Sequence, residues 1–251
     1  MSFADDTAVT LSSRCLDSLV LKVNGVLRNF HVFTRLSLLS VNVAKTNFVL
    51  YTRVGKPIDI KGKNLFDNKH VVQVWEICYL GFYIDFNLSW KHHSDIVATM
   101  VARDLGAIQR FRIFSTPRVS LLLYHALIHP CISYGCMLWA SNFYLNFKRV
   151  QILQNKAMRF IGGYVEGEHN TTASFKKIRV LNVGQLREYQ VGIFAYQCWN
   201  NLSPEVFRDY YSENRSFHHD ETRHASDFVI PHRSVNTAGF PTRFSGPKVW
   251  N

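Results

Sequence analysis

The sequence predicts an α+β fold, with short antiparallel strands near its start and only helices in the part that follows. Two observations lead to this prediction. Short runs rich in β-branched and aromatic residues, separated by turn residues, occupy much of the chain up to about residue 87. Beyond Leu88 the apolar residues recur every three or four positions, which is the period of an amphipathic helix.

The first part combines one helix with several strands. From Leu16 the apolar residues recur at three and four, which predicts a helix that ends near Phe33. Strands are predicted at residues 46–51, 58–60, 71–74 and 79–85. Gly81 inside the last of these strands indicates a bulge or a close approach of another backbone.

The second part is predicted to be a series of helices. Pro117 fits the first turn of a helix, and Pro130 is expected to kink or end that helix. The other helices are predicted at residues 96–111, 147–161 and 183–199. Residues 215–251 are rich in His, Arg, Ser and Pro, which predicts a basic and poorly packed C-terminal extension.

The net charge favours a polyanionic partner. The chain has 29 Lys and Arg against 18 Asp and Glu, a formal net charge of +11, which suits nucleic acid or an anionic membrane surface. The uncharged stretch 119–147 is long enough to span a bilayer, but His125, His129 and Pro130 interrupt it, so buried helices are predicted instead. The five cysteines are scattered without a CxxC pair, which favours a reducing compartment over a zinc site or secretion.

Two adjacent carboxylates form the first candidate site. Asp5 and Asp6 lie between apolar residues, which predicts a hairpin whose tight turn carries both. Two such carboxylates repel each other unless a cation lies between them, and Mg²⁺ is the usual partner of carboxylates and phosphates. An ordinary turn with two aspartates is the alternative.

Two groups of basic residues form the second candidate site. At 100° per residue, one arc of the 147–161 helix carries Lys148, Arg149, Lys156 and Arg159. The opposite arc is apolar and consists of Val150, Leu153, Ala157, Phe160 and Ile161. The second group contains Arg103, Arg110, Arg112 and Arg118. Such a stripe suits contact with phosphates, although an ordinary solvated helix face remains the alternative.

Seven motifs follow one another along the chain. They are FADD at 3–6, LSVNVAKT at 39–46, YLGFYID at 79–85, LSWKHH at 88–93, HPCISYG at 129–135 with Trp139, LQNKAMR at 153–159 and GPKVWN at 246–251. In this order they resemble blocks of reverse transcriptases from non-LTR retrotransposons of the LINE-like Jockey and CR1 kind. A lone A-D-D is a weak signal, whereas seven blocks in order are a specific one.

The resemblance implies a place and a role for several residues. Residues 1–87 would be the C-terminal part of the polymerase palm, and residues 88–214 the helical thumb and connection region. Asp5 and Asp6 would bind catalytic Mg²⁺, with Mn²⁺ as a possible substitute, for two-metal nucleotidyl transfer. The partners would be an RNA template and a DNA primer, the hybrid being held by the thumb. Contacts to primer or nucleotide would come from Lys45, Leu80 and Gly81.

The resemblance also implies parts that this sequence does not contain. The family takes a further metal-binding carboxylate from an earlier palm strand, which would lie upstream of Met1 together with the fingers. We therefore expect a fragment of a longer polymerase, located in the nucleus or cytoplasm, that is inactive alone. Two alternatives stay open, namely a non-catalytic basic helical module that binds nucleic acid, or an inert product of a truncated element.

Overall fold

The computed structural model describes residues 2–3, 6–52, 57–60, 65–66, 69–111, 114–140, 144–162, 171–212, 227–230 and 241–250. The chain divides into two compact units, Met1–Asn87 and Leu88–Asn251. Strands occur in the first unit and most helices in the second, so the predicted α+β class is confirmed.

The strands of the first unit are short and pair two by two. They are β1 (Ser2–Phe3), β2 (Asp6–Thr7), β3 (Asn47–Phe48), β4 (Leu65–Phe66), β5 (Lys69–His70), β6 (Val72–Gln73), β7 (Glu76–Tyr79) and β8 (Phe82–Asp85). Three pairs are antiparallel, but β3 and β6 are parallel, so the prediction of antiparallel strands alone is wrong. The described strands form four two-stranded sheets rather than one palm-like sheet.

A glutamine side chain explains why the predicted strand at 58–60 does not form. Gln73 is buried, its Oε1 accepts from the Ile60 backbone N–H at 2.8 Å, and its Nε2 donates to the Ile58 carbonyl at 2.7 Å. The side chain therefore satisfies the backbone groups that a neighbouring strand would otherwise pair. Residues 57–60 remain irregular as a result.

The segment 79–85 is the middle of a hairpin rather than one strand. Strands β7 and β8 pair with Tyr79 opposite Phe82, so Leu80 and Gly81 form the two-residue turn between them. Both turn residues have positive φ, 49° and 80°, as a type I′ hairpin turn requires. Gly81 is thus a turn residue, and the interpretation of a bulge inside a strand is wrong.

The first unit also contains a long helix. Helix α1 spans Leu16–Leu36 and begins where the sequence predicts, but it runs three residues beyond Phe33. Its end is capped by the backbone, since the Ser37 N–H donates to the Phe33 carbonyl at 2.9 Å. Thr34 is its one buried residue, because most of its apolar side chains are half-buried.

The second unit is built from helices. They are α2 (Lys91–Phe111), α3 (Pro117–Leu123), α4 (His129–Ser133), α5 (Cys136–Trp139), α6 (Tyr144–Ile161), α7 (Thr171–Ile178), α8 (Val183–Trp199) and α9 (Pro241–Trp250). A π-helical turn, Tyr124–Ile128, joins α3 to α4. Helix α8 has the predicted bounds, and Asn182 and Gln185 form a capping box at its start. The π turn lies directly before the segment that contains Pro130, which lacks a backbone N–H, so Pro130 is accommodated and the helix ends only at Ser133.

The core of this unit is formed by helices α2 to α8. Trp139 and Tyr124 are the largest fully buried side chains there, and both are 0% exposed. Val101 and Ile108 from α2 and Val150 from α6 are likewise buried. This core follows the apolar period of the sequence, as an amphipathic helix packed by one face requires.

The C-terminal segment packs more closely than the sequence predicts. Phe228 is 2% exposed and joins a cluster with Ala195, Cys198 and Tyr211. On α9, a Cβ placed at Gly246 would overlap the Tyr211 Oη, so glycine allows this close approach. The prediction of a poorly packed extension is therefore wrong for residues 227–230 and 241–250.

Neither a membrane span nor a paired cysteine occurs in the described part of the chain. None of these helices combines the length and the hydrophobicity that a bilayer crossing needs. All five cysteines are free, and Cys136 is fully buried. Burial raises the pKa of the Cys136 thiol to about 12 despite the opposing effect of Arg187.

Candidate nucleic-acid interface

Of the two adjacent carboxylates, Asp5 and Asp6, the structure describes only the backbone of Asp6. Strands β1 and β2 pair antiparallel with Phe3 opposite Asp6. Asp6 therefore opens the return strand, and the prediction of a turn that carries both aspartates is wrong for Asp6. Asp5 lies outside the described residues, as does the His-rich tract 218–224. Among the described residues no three His, Cys, Asp or Glu side chains come close enough to hold a metal ion.

Lys45 ends a short 3₁₀ turn, Val43–Lys45, in the first unit. Asn42 shapes this turn, because its Oδ1 accepts from the Lys45 N–H at 3.3 Å and its carbonyl accepts from the Thr46 hydroxyl at 3.0 Å. The Lys45 side chain is exposed. Asn42 and Thr46 of the N-x-x-K-T segment thus hold the backbone, while Lys45 is displayed to solvent.

The predicted primer-contact residues form a hairpin tip. Leu80 is 37% exposed and Gly81 is exposed, both in the tight turn between β7 and β8. Because Gly81 carries no side chain, no side chain of its own covers the backbone at this tip.

Helix α6 presents the predicted basic stripe to solvent. Lys148, Arg149, Lys156 and Arg159 are all exposed, whereas Val150 and Ala157 on the opposite side are fully buried. Arg149 pairs with Asp95 of α2, with 3.3 Å between Nη1 and Oδ1. In the described part of the chain the other three have no acidic partner, so we call Lys148, Lys156 and Arg159 the α6 basic face.

The second basic group is more dispersed. Arg103 is exposed, but its Nε lies 3.1 Å from Oδ1 of the largely buried Asp104, so part of its charge is compensated. Arg110 and Arg118 are exposed on α2 and α3. Arg112 lies outside the described residues. Within this group, Arg110 and Arg118 form no ion pair with an acidic side chain among the described residues.

A buried glutamine lies behind the basic face, and the sequence analysis did not identify it. Gln154 of α6 is 0% exposed. Its Nε2 donates to the Tyr124 Oη at 2.9 Å and to the Leu181 carbonyl at 3.0 Å, and its Oε1 accepts from the Val183 N–H at 3.1 Å. Burial raises the pKa of Tyr124, which the hydrogen bond from Gln154 partly offsets.

The hydrogen bonds of Gln154 fix α6 against the start of α8. Gln151, one turn earlier, also accepts from the Val183 N–H, at 3.0 Å. The helical projection could have revealed Gln154, because at 100° per residue it falls about 40° from Val150 and about 20° from Ile161, at the edge of the apolar arc. Leu153 and Phe160, assigned to that arc, are only half-buried.

The HPCISYG motif with Trp139 builds a corner of the fold. Gly135 has a left-handed backbone with φ of 56°, and Trp139 Nε1 donates to the Tyr134 carbonyl at 3.1 Å. Gln190 of α8 closes the corner, because its Nε2 donates to the Ser133 carbonyl at 2.7 Å. This block therefore positions α4, α5 and α8 relative to one another.

Comparison with known proteins gives two curated relatives. The chain is 30% identical over 179 residues to "Probable RNA-directed DNA polymerase from transposon X-element" of Drosophila melanogaster, which covers 68% of this chain and 19% of that protein. It is 28% identical over 171 residues to the corresponding protein from transposon BS of the same organism, covering 64% and 18%. The chain thus spans about a fifth of the length of the curated relatives it matches.

Two further comparisons give no match. No protein-family model matches the chain. No solved structure matches it either. The two relatives support the resemblance to reverse transcriptases, whereas assignment to the Jockey and CR1 kind remains a prediction. The chain is therefore similar, over about two thirds of its length, to part of RNA-directed DNA polymerases from Drosophila transposons.

Proposed function

We propose that the helical unit, 88–251, binds the phosphate backbone of an RNA–DNA hybrid as part of a transposon reverse transcriptase. The observation that carries this proposal is the α6 basic face, Lys148, Lys156 and Arg159. These three cations are exposed, and the described residues give them no acidic partner. Uncompensated cations of this kind gain most from phosphates, because they release the counterions condensed on the nucleic acid.

The geometry of α6 suits a long polyanion. Lys148 and Arg159 are eleven residues apart on one helix face, which corresponds to about 16 Å along its axis. That length allows contacts with more than one phosphate, whereas a small anion would use one end only. The buried Gln154 and Val150 hold the other side of the helix in place, so the cations project from a fixed support.

The catalytic roles are part of the same proposal. Asp5 and Asp6 would supply two of the carboxylates that hold Mg²⁺, or Mn²⁺ in its place, and the metal would activate the primer hydroxyl and stabilise the leaving pyrophosphate. The pairing of β1 with β2 supports a hairpin at this box. Lys45 is an exposed cation suited to a triphosphate, and the hairpin tip at Leu80 and Gly81 is suited to the primer.

The placement within the family is proposed on the same grounds. Residues 1–87 would be the end of the palm and 88–214 the thumb of a polymerase of the Jockey and CR1 kind, with 215–251 as its basic extension. Arg103, Arg110, Arg112 and Arg149 would add to phosphate contact. The free cysteines and the nucleic-acid substrates favour the nucleus or cytoplasm as its location.

Salt dependence tests the binding proposal. The logarithm of the affinity for a blunt RNA–DNA hybrid should fall linearly with the logarithm of salt concentration. Replacing Lys148, Lys156 and Arg159 together by Gln should lower the magnitude of that slope by about 2 to 3, close to one per lost phosphate contact. Fluorescence anisotropy in a salt series measures both slopes.

Arg208→Gln is the matched control, since Arg208 is an exposed arginine of the same unit that is not part of α6 and pairs with Glu205. This variant should keep the slope of the original chain. An affinity that ignores salt, or equal slope losses in the control and the triple variant, would contradict the α6 basic face as the contact.

Primer extension tests the proposal that Asp5 and Asp6 are only part of the set of carboxylates that holds the catalytic metal. We expect no incorporation by this chain alone on a poly-A template with Mg²⁺ or Mn²⁺, because two carboxylates of a larger set leave the ions weakly held. Asp5→Ala serves as the control for any background. Incorporation that Asp5→Ala abolishes would show that the chain itself holds a working metal site.

A further inference from the structure

A cleft lies between α6, α7 and the start of α8, and none of the residues of the α6 basic face lines it. Its volume is about 500 Å³, which falls in the range of small-molecule sites. Asn155 of α6, Lys176 and Arg179 at the end of α7, and Asn182 and Gln185 at the start of α8 line it. None of the described residues that line it is acidic.

The amide groups that line the cleft have their oxygens already engaged. The Gln185 N–H donates to Asn182 Oδ1 at 2.9 Å, and the Asn182 N–H donates to Gln185 Oε1 at 3.1 Å. Because a backbone N–H can only donate, these two bonds fix which amide atom is oxygen. No described residue accepts a hydrogen bond from the NH₂ group of either side chain.

The same logic extends to Asn155. Gln151 Oε1 accepts from the Val183 N–H at 3.0 Å, so the other terminal atom of Gln151 is its NH₂ group. This group donates to Asn155 Oδ1 at 2.8 Å, which leaves the Asn155 NH₂ as the spare group. Among the described residues, all three amides thus keep an NH₂ donor, while one of the two acceptor positions of each oxygen is occupied.

The charged residues of the cleft are donors as well. Lys176 and Arg179 are exposed, and the described part of the chain supplies neither with an acidic partner. The first turn of α8 adds the positive end of a 17-residue helix beside them. The polar part of the lining thus carries donors and positive charge, while Phe175, Val180 and Leu181 supply an apolar part. Such a cleft complements a ligand that has acceptors, negative charge and an apolar face.

We infer that this cleft binds one unpaired nucleotide of a nucleic-acid strand. Its phosphate would pair with Lys176 and Arg179, and the acceptor atoms of its base would take the amide donors of Asn155, Asn182 and Gln185. The volume admits a base together with its phosphate. This inference rests on the proposed binding of nucleic acid and adds to it a preference for an unpaired segment beside the hybrid.

The test compares a blunt RNA–DNA hybrid with the same hybrid carrying a short unpaired tail, using the full chain. The tail should raise the affinity, and Lys176→Gln or Arg179→Asn should reduce the affinity for the tailed hybrid about 10-fold, the size of one lost charge-assisted hydrogen bond. Affinity for the blunt hybrid should stay unchanged. Asn is chosen at position 179 because Arg179 has φ of 59°, which asparagine tolerates.

Lys177→Gln is the matched control, because Lys177 is an exposed lysine on the same helix that does not line the cleft. It should leave the gain from the tail intact. The assignment of the cleft would be overturned if Lys176→Gln and Lys177→Gln lowered the affinity for the tailed hybrid equally. It would also be overturned if the tail did not raise the affinity of the original chain. A tail that has the sugar–phosphate backbone but no bases should provide little of the increase in affinity. An equal increase from such a tail would likewise overturn the assignment of the cleft to a nucleotide.

The blunt hybrid separates this inference from the proposed function. If the original chain fails to bind the blunt hybrid, the proposed function fails. In that case, binding of the isolated single strand that Lys176→Gln weakens and Lys177→Gln does not would still support the cleft. Absence of any such binding would overturn both.

Discussion

Trp139→Ala is expected to lower the free energy of unfolding of the helical unit by about 4 kcal/mol, near the upper end of large-to-small core substitutions. Trp139 is 0% exposed, and its indole N–H donates to the Tyr134 carbonyl at 3.1 Å. Its ring also meets the His93 ring edge-on, with 6.1 Å between centroids. The substitution would leave a cavity at the corner that Gly135 and Gln190 complete.

Urea denaturation followed by far-UV circular dichroism measures this loss. Trp199→Ala is the matched control, because Trp199 is 41% exposed, although its ring contacts that of Phe228 with 5.1 Å between the centroids. It should cost about 1 to 2 kcal/mol, in line with its smaller buried area. A Trp139→Ala variant no less stable than Trp199→Ala would contradict the assignment of Trp139 as the centre of the core.

Gln154→Leu is expected to cost about 3 kcal/mol, although it replaces a polar side chain by an apolar one of similar size. Leucine cannot pair with the Tyr124 hydroxyl or the Leu181 carbonyl, so buried polar groups lose their partner. The start of α8 should loosen as well, because Gln154 is one of two side chains that accept from the Val183 N–H.

Ile152→Gln on the same helix is the control, since Ile152 is 47% exposed and should tolerate a polar side chain within about 0.5 kcal/mol. Hydrogen exchange adds a local readout, with faster exchange expected for the amides at the start of α8. Unchanged stability and unchanged exchange in Gln154→Leu would contradict the role of Gln154 as the bond between α6 and α8.

The helices were predictable because each depends on a local pattern. Helix α8 begins at its capping box and ends before Asn200, as the sequence predicts. The apolar period also predicted that Val150 and Ala157 would be buried and that Lys148 and Arg159 would be exposed. The burial or exposure of these side chains depends only on the face of the helix on which they lie, and the sequence period determines that face.

The strands were less predictable because distant partners decide them. Residues 58–60 have a β-forming pattern, but the side chain of Gln73 satisfies their backbone. The hairpin at Leu80 depends on two consecutive residues with positive φ, and leucine gives no sign of such a backbone. Propensity alone cannot identify a strand partner that lies elsewhere in the chain.

The candidate site shows the same division. Exposure of the α6 cations follows from the sequence, whereas the pairing of Arg149 with Asp95 joins two helices and could not be predicted from spacing. The burial of Gln154 was not predicted, because a polar residue is normally assigned to the solvent-facing side of a helix. The catalytic roles of Asp5 and Asp6 remain a prediction based on resemblance.

The motifs shared in pattern with reverse transcriptases largely support the fold of the helical unit. Gly135 and Trp139 build its corner, and Gln154 joins α6 to α8. Gly246 permits the packing of α9 against Tyr211. The nucleic-acid contacts would then depend on cations displayed by this framework, with Lys156 and Arg159 belonging to the same motif as Gln154.

Lysine footprinting tests the central claim most directly. The chain is acetylated with and without a saturating RNA–DNA hybrid, and modification of each lysine is quantified by mass spectrometry. Lys148 and Lys156 should be protected by the hybrid, while the exposed Lys177 and Lys248 of the same unit should react as before. A bound hybrid that leaves Lys148 and Lys156 as reactive as in the free chain would contradict the α6 basic face as the site of contact.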